Sequence, residues 1–146
     1  MREQRCGSPA PAIGDYGPNP LVVNIRCLAE QTPYFRTALW TGRYMQITLM
    51  CIPPRGEIGL EMHGDVDQLI RVEAGCGLVM MGEGPEALYC RQAVDAGYGI
   101  VIPAGTWHNL VNTGCDPLQL VSVYAPPQHP FGTVHKTKAD ADAWET

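Results

Sequence analysis

The chain has 146 residues, of which 45% are apolar and 17% charged, a composition that suits one domain with one core and argues against disorder. The net charge of −5 and the absence of a basic stripe exclude the usual nucleic-acid-binding and anionic-membrane surfaces. No stretch approaches the ~20 apolar residues of a membrane span, and residues 1–6 do not read as the start of a signal peptide. We therefore expect a cytoplasmic protein whose partner is a small-molecule substrate.

Residues 1–20 are rich in proline and glycine, which predicts an irregular N-terminal arm. The arm could lie across the rest of the domain or pack on a second subunit. Six cysteines are spread along the chain without a CxxC pair, and we expect free thiols that fill small apolar spaces. These are Cys6, Cys27, Cys51, Cys76, Cys90 and Cys115.

After Pro20 the pattern is β almost throughout, with short runs of Val, Ile, Thr, Tyr and Leu between Gly, Pro and Asp turns. The runs predict strands near 21–26, 35–40, 44–52, 57–63, 68–73, 77–81, 88–94, 99–103, 107–112 and 118–124. The one predicted helix is short and C-terminal, from Lys138 to Trp144, with Thr137 as its cap and Asp140 three residues later. This order predicts an all-β sandwich or barrel.

The predicted strand 57–63 carries two metal-binding side chains on one face. Side chains alternate along a strand, so Glu61 and His63 share a face, and Ile58, Leu60 and Met62 share the other. A turn at 64–67 would return the chain, which places Gln68 beside the pair.

A second cluster lies forty residues later, where an apolar strand breaks at Pro103-Ala104-Gly105-Thr106 and a new strand opens with Trp107 and His108. We expect His108 to point inward from the start of this strand. Trp107 should then face away from His108, as a core or interface residue.

At these spacings the chain resembles the cupin superfamily. The family's first motif is matched by Glu61, His63, Gln68 and Gly75, and its second by Gly97, Pro103, Gly105, His108 and Asn112. The resemblance implies a cupin jelly-roll β-barrel, or double-stranded β-helix, over residues 21–136, with the arm 1–20 before it and the helix 137–146 after it. It also implies one divalent metal ion per chain, held by Glu61, His63, Gln68 and His108.

Two positions depart from the family pattern, since Glu61 replaces a histidine and Gln68 replaces a glutamate. The exchange keeps one anionic and three neutral donors, which favours a retained site. Two alternatives stay open: Glu61 could be a nearby general base with water in its place on the metal, and Gln68 could orient a bound water. Tyr124 on the last strand is a further candidate, as an acid or hydrogen-bond donor in the cavity, although a packed aromatic is the more common role of such a residue.

The donor set would accept Zn, Fe, Mn or Ni. We expect an isomerase or lyase in which Glu61, Tyr124 or a bound water moves a proton beside the metal. A sugar phosphate would need cations, and the sequence does not assign Arg36, Arg55 or Lys136 to the cavity. The alternatives are a non-haem Fe(II) dioxygenase and a non-catalytic metal- or ligand-binding protein.

Two further expectations concern the surface. His129 and His135 lie in a proline-rich segment and should be exposed, where they could cover the barrel mouth. The resemblance also implies a homodimer, and several large apolar side chains exceed what one small barrel buries. These are Trp40, Leu60, Met62, Leu69 and Trp107.

Overall fold

The structure is a computed structural model, and it describes residues 12–144. Its elements are α1 (Ile25–Gln31), β1 (Arg36–Thr41), β2 (Gln46–Ile52), β3 (Asp67–Ala74), β4 (Cys76–Gly82), β5 (Cys90–Asp95), β6 (Gly99–Ile102), β7 (Trp107–Asn112), β8 (Leu118–Ala125), β9 (Val134–His135) and α2 (Lys138–Trp144). Neither helix is long and apolar enough to cross a membrane.

The strands form two antiparallel sheets. The larger has the order β6-β3-β8-β2-β1-β9, and the smaller has the order β5-β4-β7. One core cluster takes residues from both sheets, including Met50 and Leu120 of the larger and Val79 and Leu110 of the smaller. The sheets therefore face each other across a shared interior, and the predicted all-β jelly roll is confirmed.

The N-terminal part of the prediction is wrong, because the chain forms helix α1 where a strand near 21–26 was expected. The side chain of Asn24 accepts a hydrogen bond from the backbone N–H of Cys27 and so caps the helix. Leu28 and Ala29 are buried against Leu49 and other apolar residues of the larger sheet. Burial on that outer face stabilises a helix of only seven residues, which would be marginal alone.

Residues 57–63 do not form a continuous strand. The N–H of Ile58 donates to the carbonyl of Leu110, and Glu61 pairs with His108. The chain therefore advances three residues from Ile58 to Glu61 where the facing strand advances two. This is a β-bulge, and Gly59 occupies it at φ 105°. Its N–H donates to the side chain of Asn109.

The bulge changes which side chains share a face. Ile58 joins the core, whereas Leu60 and Met62 are 44% and 40% exposed. The predicted common face for these three residues is therefore wrong. The pairing of Glu61 with His63 survives, because both lie after the bulge.

The described part of the N-terminal arm lies along β1 of the same chain. The N–H of Tyr16 donates to the carbonyl of Leu39, and Asp15 accepts hydrogen bonds from Thr41 and from the N–H of Gly132. Of the two positions considered for the arm, residues 12–20 thus take the one across their own domain. Residues 1–11 of the predicted arm lie outside the described residues.

Helix α2 begins as predicted, with reciprocal hydrogen bonds between Thr137 and Asp140. Ala141 packs into the interior core, and the Lys138 side chain lies beside Gly59. The helix therefore covers the gap between β9 of one sheet and the bulged segment beside β7 of the other.

The prediction of free, space-filling cysteines is wrong in two respects. Cys27 is disulfide-bonded. Cys76, Cys90 and Cys115 are free but exposed, and Cys51 is half-buried. Spacing along a sequence does not reveal which thiols come together or which are covered.

Candidate metal centre

Three of the predicted site residues converge inside the barrel. Glu61, His63 and His108 each offer one ligand atom, and these atoms all lie within 4.8 Å of one another. Paired backbone hydrogen bonds between Glu61 and His108 fix two of the side chains on the same side. A further backbone bond from Gly105 to the carbonyl of His63 ties the third to the same loop.

Glu61 is the centre of the cluster. Its Oε1 lies 3.2 Å from Nε2 of His108 and 3.3 Å from Nε2 of His63. Burial alone would raise the pKa of Glu61, but a proton on the adjacent imidazoles of His108 and His63 outweighs it and lowers the pKa to about 2. The carboxylate is therefore ionised at neutral pH.

The orientation of His108 is set by a backbone carbonyl. Its Nδ1 lies 2.9 Å from the carbonyl oxygen of Thr106, and this oxygen can only accept. In a neutral ring the proton then sits on Nδ1, and Nε2 carries a lone pair aimed at the Glu61 carboxylate. Two acceptors at 3.2 Å repel each other unless a cation or a proton lies beside them.

Two other buried atoms lack a partner among residues 12–144. They are Nε2 of His63 and Oε1 of Gln68. The Gln68 amide is held by a hydrogen bond from its Nε2 to Ser122 at 2.8 Å, which leaves its oxygen free to accept. A carboxylate, two imidazoles and an amide oxygen suit a divalent ion of the first transition series.

Tyr124 lies where the sequence placed it, on β8 and facing the interior. It is 1% exposed and stands opposite Gln68 on β3. Its ring and the ring of His63 form a T-shaped pair with 6.1 Å between the centroids. The phenol is thus adjacent to the candidate metal ligands.

His129 and His135 are buried, at 5% and 6% exposure, so the prediction that they are exposed is wrong. His129 is held by Gln46, whose side-chain amide bonds the N–H and the carbonyl of His129 and the N–H of Gln128. This clamp draws the proline-rich segment inward over the barrel. The His129 ring then lies 5.3 Å from the ring of Tyr124. His135 lies in β9, where it pairs with Arg36 of β1.

Arg36, which the sequence did not assign to the cavity, is buried. It is 2% exposed, and its Nη1 lies 3.1 Å from Nδ1 of His135. Burial, followed by the positive charge of Arg36, lowers the pKa of His129 to about 3 and lowers the pKa of His135. Arg55 and Lys136 are exposed.

Comparisons with known proteins agree with this architecture. A family model described as "Cupin domain" matches residues 48–124. The uncharacterized protein YrkC of Bacillus subtilis is 56% identical over 133 residues, covering 91% of this chain and 72% of the relative. The uncharacterized protein L612 of Acanthamoeba polyphaga mimivirus is 37% identical over 114 residues, which cover 77% of this chain and 69% of that one. A crystal structure of BH2720 from Bacillus halodurans superposes with a TM-score of 0.89 at 54% identity, over 90% of this chain and 99% of the other.

Proposed function

Because this chain belongs to the cupin family, we propose that it is a metal-dependent enzyme acting on a small molecule. Glu61, His63 and His108 bind one divalent ion, with Gln68 as a fourth ligand. The reaction we propose is an isomerisation or a lyase reaction in which a proton is moved next to the metal.

The contact between Nε2 of His108 and the Glu61 carboxylate carries the proposal. The carbonyl of Thr106 favours the ring tautomer whose lone pair faces the carboxylate, and a cation relieves the repulsion between the two acceptors. Two donors that each lie about 2.1 Å from one ion are about 3.0–3.4 Å apart at right or tetrahedral angles. The observed 3.2 Å and 3.3 Å fall in that range.

A bound divalent ion would supply Lewis-acid polarisation of a substrate oxygen. The residues around the ion would bind it and transfer the proton. The Glu61 carboxylate lies 3.2 Å and 3.3 Å from the two imidazole nitrogens, close enough to share one ion with them, which favours the ligand role for Glu61 over the role of base. Tyr124, buried beside His63, is our candidate for the group that gives a proton to the substrate.

One specific observation favours a second function, a non-haem Fe(II) dioxygenase. Glu61, His63 and His108 are one carboxylate and two histidines, the set of ligands that these oxygenases share. Oxygen uptake that requires both substrate and Fe(II) would identify this function, and its absence together with proton exchange into substrate would favour the isomerase or lyase.

Elemental analysis tests the metal site, on protein purified without chelators or a histidine tag. We expect about one divalent ion per chain, and its loss in the variant His63→Ala/His108→Ala. Glu57→Gln is the matched control for Glu61→Gln, since Glu57 is exposed on the same segment, and only Glu61→Gln should weaken binding.

Thermal unfolding gives a second readout of the same site. A ligand at 100 times its Kd stabilises the folded state by about 2.7 kcal/mol, and a chain of this size then gains roughly 5–10 °C in Tm. A double variant that retains metal and this shift as well as the parent would overturn the site assignment. Bound metal with no turnover of any substrate class would instead indicate a binding protein.

A further inference from the structure

The barrel interior contains a cluster of polar atoms without partners. Among residues 12–144, eight buried side-chain nitrogen and oxygen atoms have no hydrogen-bond partner. Six of the eight belong to five residues of the site and its surroundings: Arg36, Thr48, His63, Gln68 and His129. Because buried polar groups are normally satisfied, these atoms indicate an interior that accommodates water or a polar ligand.

Strand register places three of these residues, Arg36, Thr48 and Gln68, on one side of the larger sheet. Thr48 pairs with Ser122, two positions from the Gln46–Tyr124 pair on the same strands, and Tyr124 pairs with Gln68. Residues opposite each other or two apart share a face. Arg36 pairs with Met50, which lies on that face two positions from Thr48.

We propose that Arg36 binds a carboxylate group of the substrate, so that the substrate is a small organic acid held between Arg36 and the metal centre. This inference rests on the proposed function, because it assumes that the other end of the substrate meets the metal. It adds the class of substrate, which the metal ligands alone do not indicate.

The argument starts from the burial of a charge. Arg36 is 2% exposed, and none of the ion pairs within the described residues includes it. Taking a guanidinium out of water without a carboxylate is costly for the fold. Nη1 of Arg36 is hydrogen-bonded to Nδ1 of His135, while Nε of Arg36 has no partner. A guanidinium fork matches a carboxylate in geometry and charge.

His129 links Arg36 to the metal centre. The charges of Arg36 and Glu61 both act on the His129 ring, which therefore lies within electrostatic reach of the two groups. Its ring is 6.1 Å from that of His135 on one side and 5.3 Å from that of Tyr124 on the other. Both of its ring nitrogens lack a partner and can bond the body of a ligand that spans the distance.

The charge of the groups around Arg36 favours a carboxylate over a phosphate. Arg36 is the one buried Arg or Lys among the described residues, and the neighbouring His129 and His135 have lowered pKa values. The single positive charge of Arg36 balances one carboxylate group, and a second carboxylate on the same ligand would be balanced at the metal centre. A phosphate dianion beside Arg36 would keep an uncompensated negative charge inside the barrel.

Binding of three probes to the metal-loaded protein tests the proposal, by calorimetry: succinate, its uncharged diamide, and inorganic phosphate. We expect millimolar binding of succinate and weaker binding of the other two. Arg36→Met should weaken succinate binding by about tenfold or more, since a charge-assisted hydrogen bond contributes more than the 1.4 kcal/mol that tenfold represents. Arg43→Met, at an exposed arginine, should bind like the parent.

Metal content and stability make the outcome decisive. Arg36→Met should retain its metal and be as stable as the parent or more so, because it removes an unpaired buried charge. Arg36→Lys, which keeps the charge without the fork, serves if the methionine variant does not fold, and should also bind succinate more weakly. Succinate binding unaffected by these changes, absent in the parent, or weaker than that of phosphate would overturn the proposal. Failure of the metal centre is distinguishable, because it appears as missing metal in the parent.

Discussion

The clamp made by Gln46 gives a sharp test of how the site is built. Its side chain is fully buried, and all four of its hydrogen-bonding positions are used. Nε2 donates to Thr41 at 3.0 Å and to the carbonyl of His129 at 2.9 Å. Oε1 accepts from the N–H groups of Gln128 at 3.1 Å and His129 at 2.9 Å. Gln46→Met keeps the length of the side chain and removes all four bonds.

At about 1 kcal/mol net for each bond, Gln46→Met should lower the free energy of unfolding by about 3–5 kcal/mol. That loss corresponds to roughly 10–15 °C in Tm for a chain of this size. Urea unfolding followed by circular dichroism measures it. Gln119→Met is the matched control, because it removes one hydrogen bond, to the carbonyl of Glu30, and should cost about 1 kcal/mol. If the two variants lose equal stability, Gln46 does not clamp the segment and the buried position of His129 has another cause.

Two further predictions concern glycines in turns and the outer surface. A Cβ at Gly75, where φ is 88°, would lie 2.6 Å from the carbonyl oxygen of Pro117, so Gly75→Ala should cost at least about 2 kcal/mol. Gly97→Ala, at φ 96° but in open space, should cost about 1 kcal/mol, and equal losses in urea unfolding would contradict the clash. The homodimer stays a prediction, and light scattering should give twice the chain mass. Leu69 and Val101 pair on the outer face and are 40% and 69% exposed. Introducing a charged side chain at these two positions should yield monomers. The control Tyr89→Glu, at an exposed residue, should remain dimeric; a monomeric parent would refute the prediction.

Much of the fold was predictable because it depends on local pattern. Eight of the predicted strands match observed strands to within two residues, since alternation and turn residues act over short distances. The second motif was equally readable: the break at Pro103 and Gly105 and the inward His108 follow from the chain alone. Reciprocal capping at Thr137 and Asp140 placed the start of α2.

The remaining features depend on partners far away in the sequence. His129 is buried because Gln46, 83 residues earlier, bonds its backbone. The bulge at Gly59 is settled by Asn109, 50 residues later. Arg36 begins a strand that reads as ordinary, and its burial beside His135, 99 residues on, has no local signal. Helix α1 was missed because a short β-like sequence becomes helical only where the outer face of the sheet covers it.

The interior face of the larger sheet changes from apolar to polar along its strands. Inward residues at one end are apolar, in the pairs Ile52–Leu118 and Met50–Leu120, and at the other end polar, in the pairs Thr48–Ser122 and Gln46–Tyr124. Burial of the apolar pairs stabilises the fold at about 25 cal/mol per Å². The polar end gains no such contribution, and it keeps atoms such as Oγ1 of Thr48 without a partner. A fold selected for stability alone would fill that end with apolar side chains. Under the proposed function, a bound ion and a polar substrate would restore the missing interactions at this end.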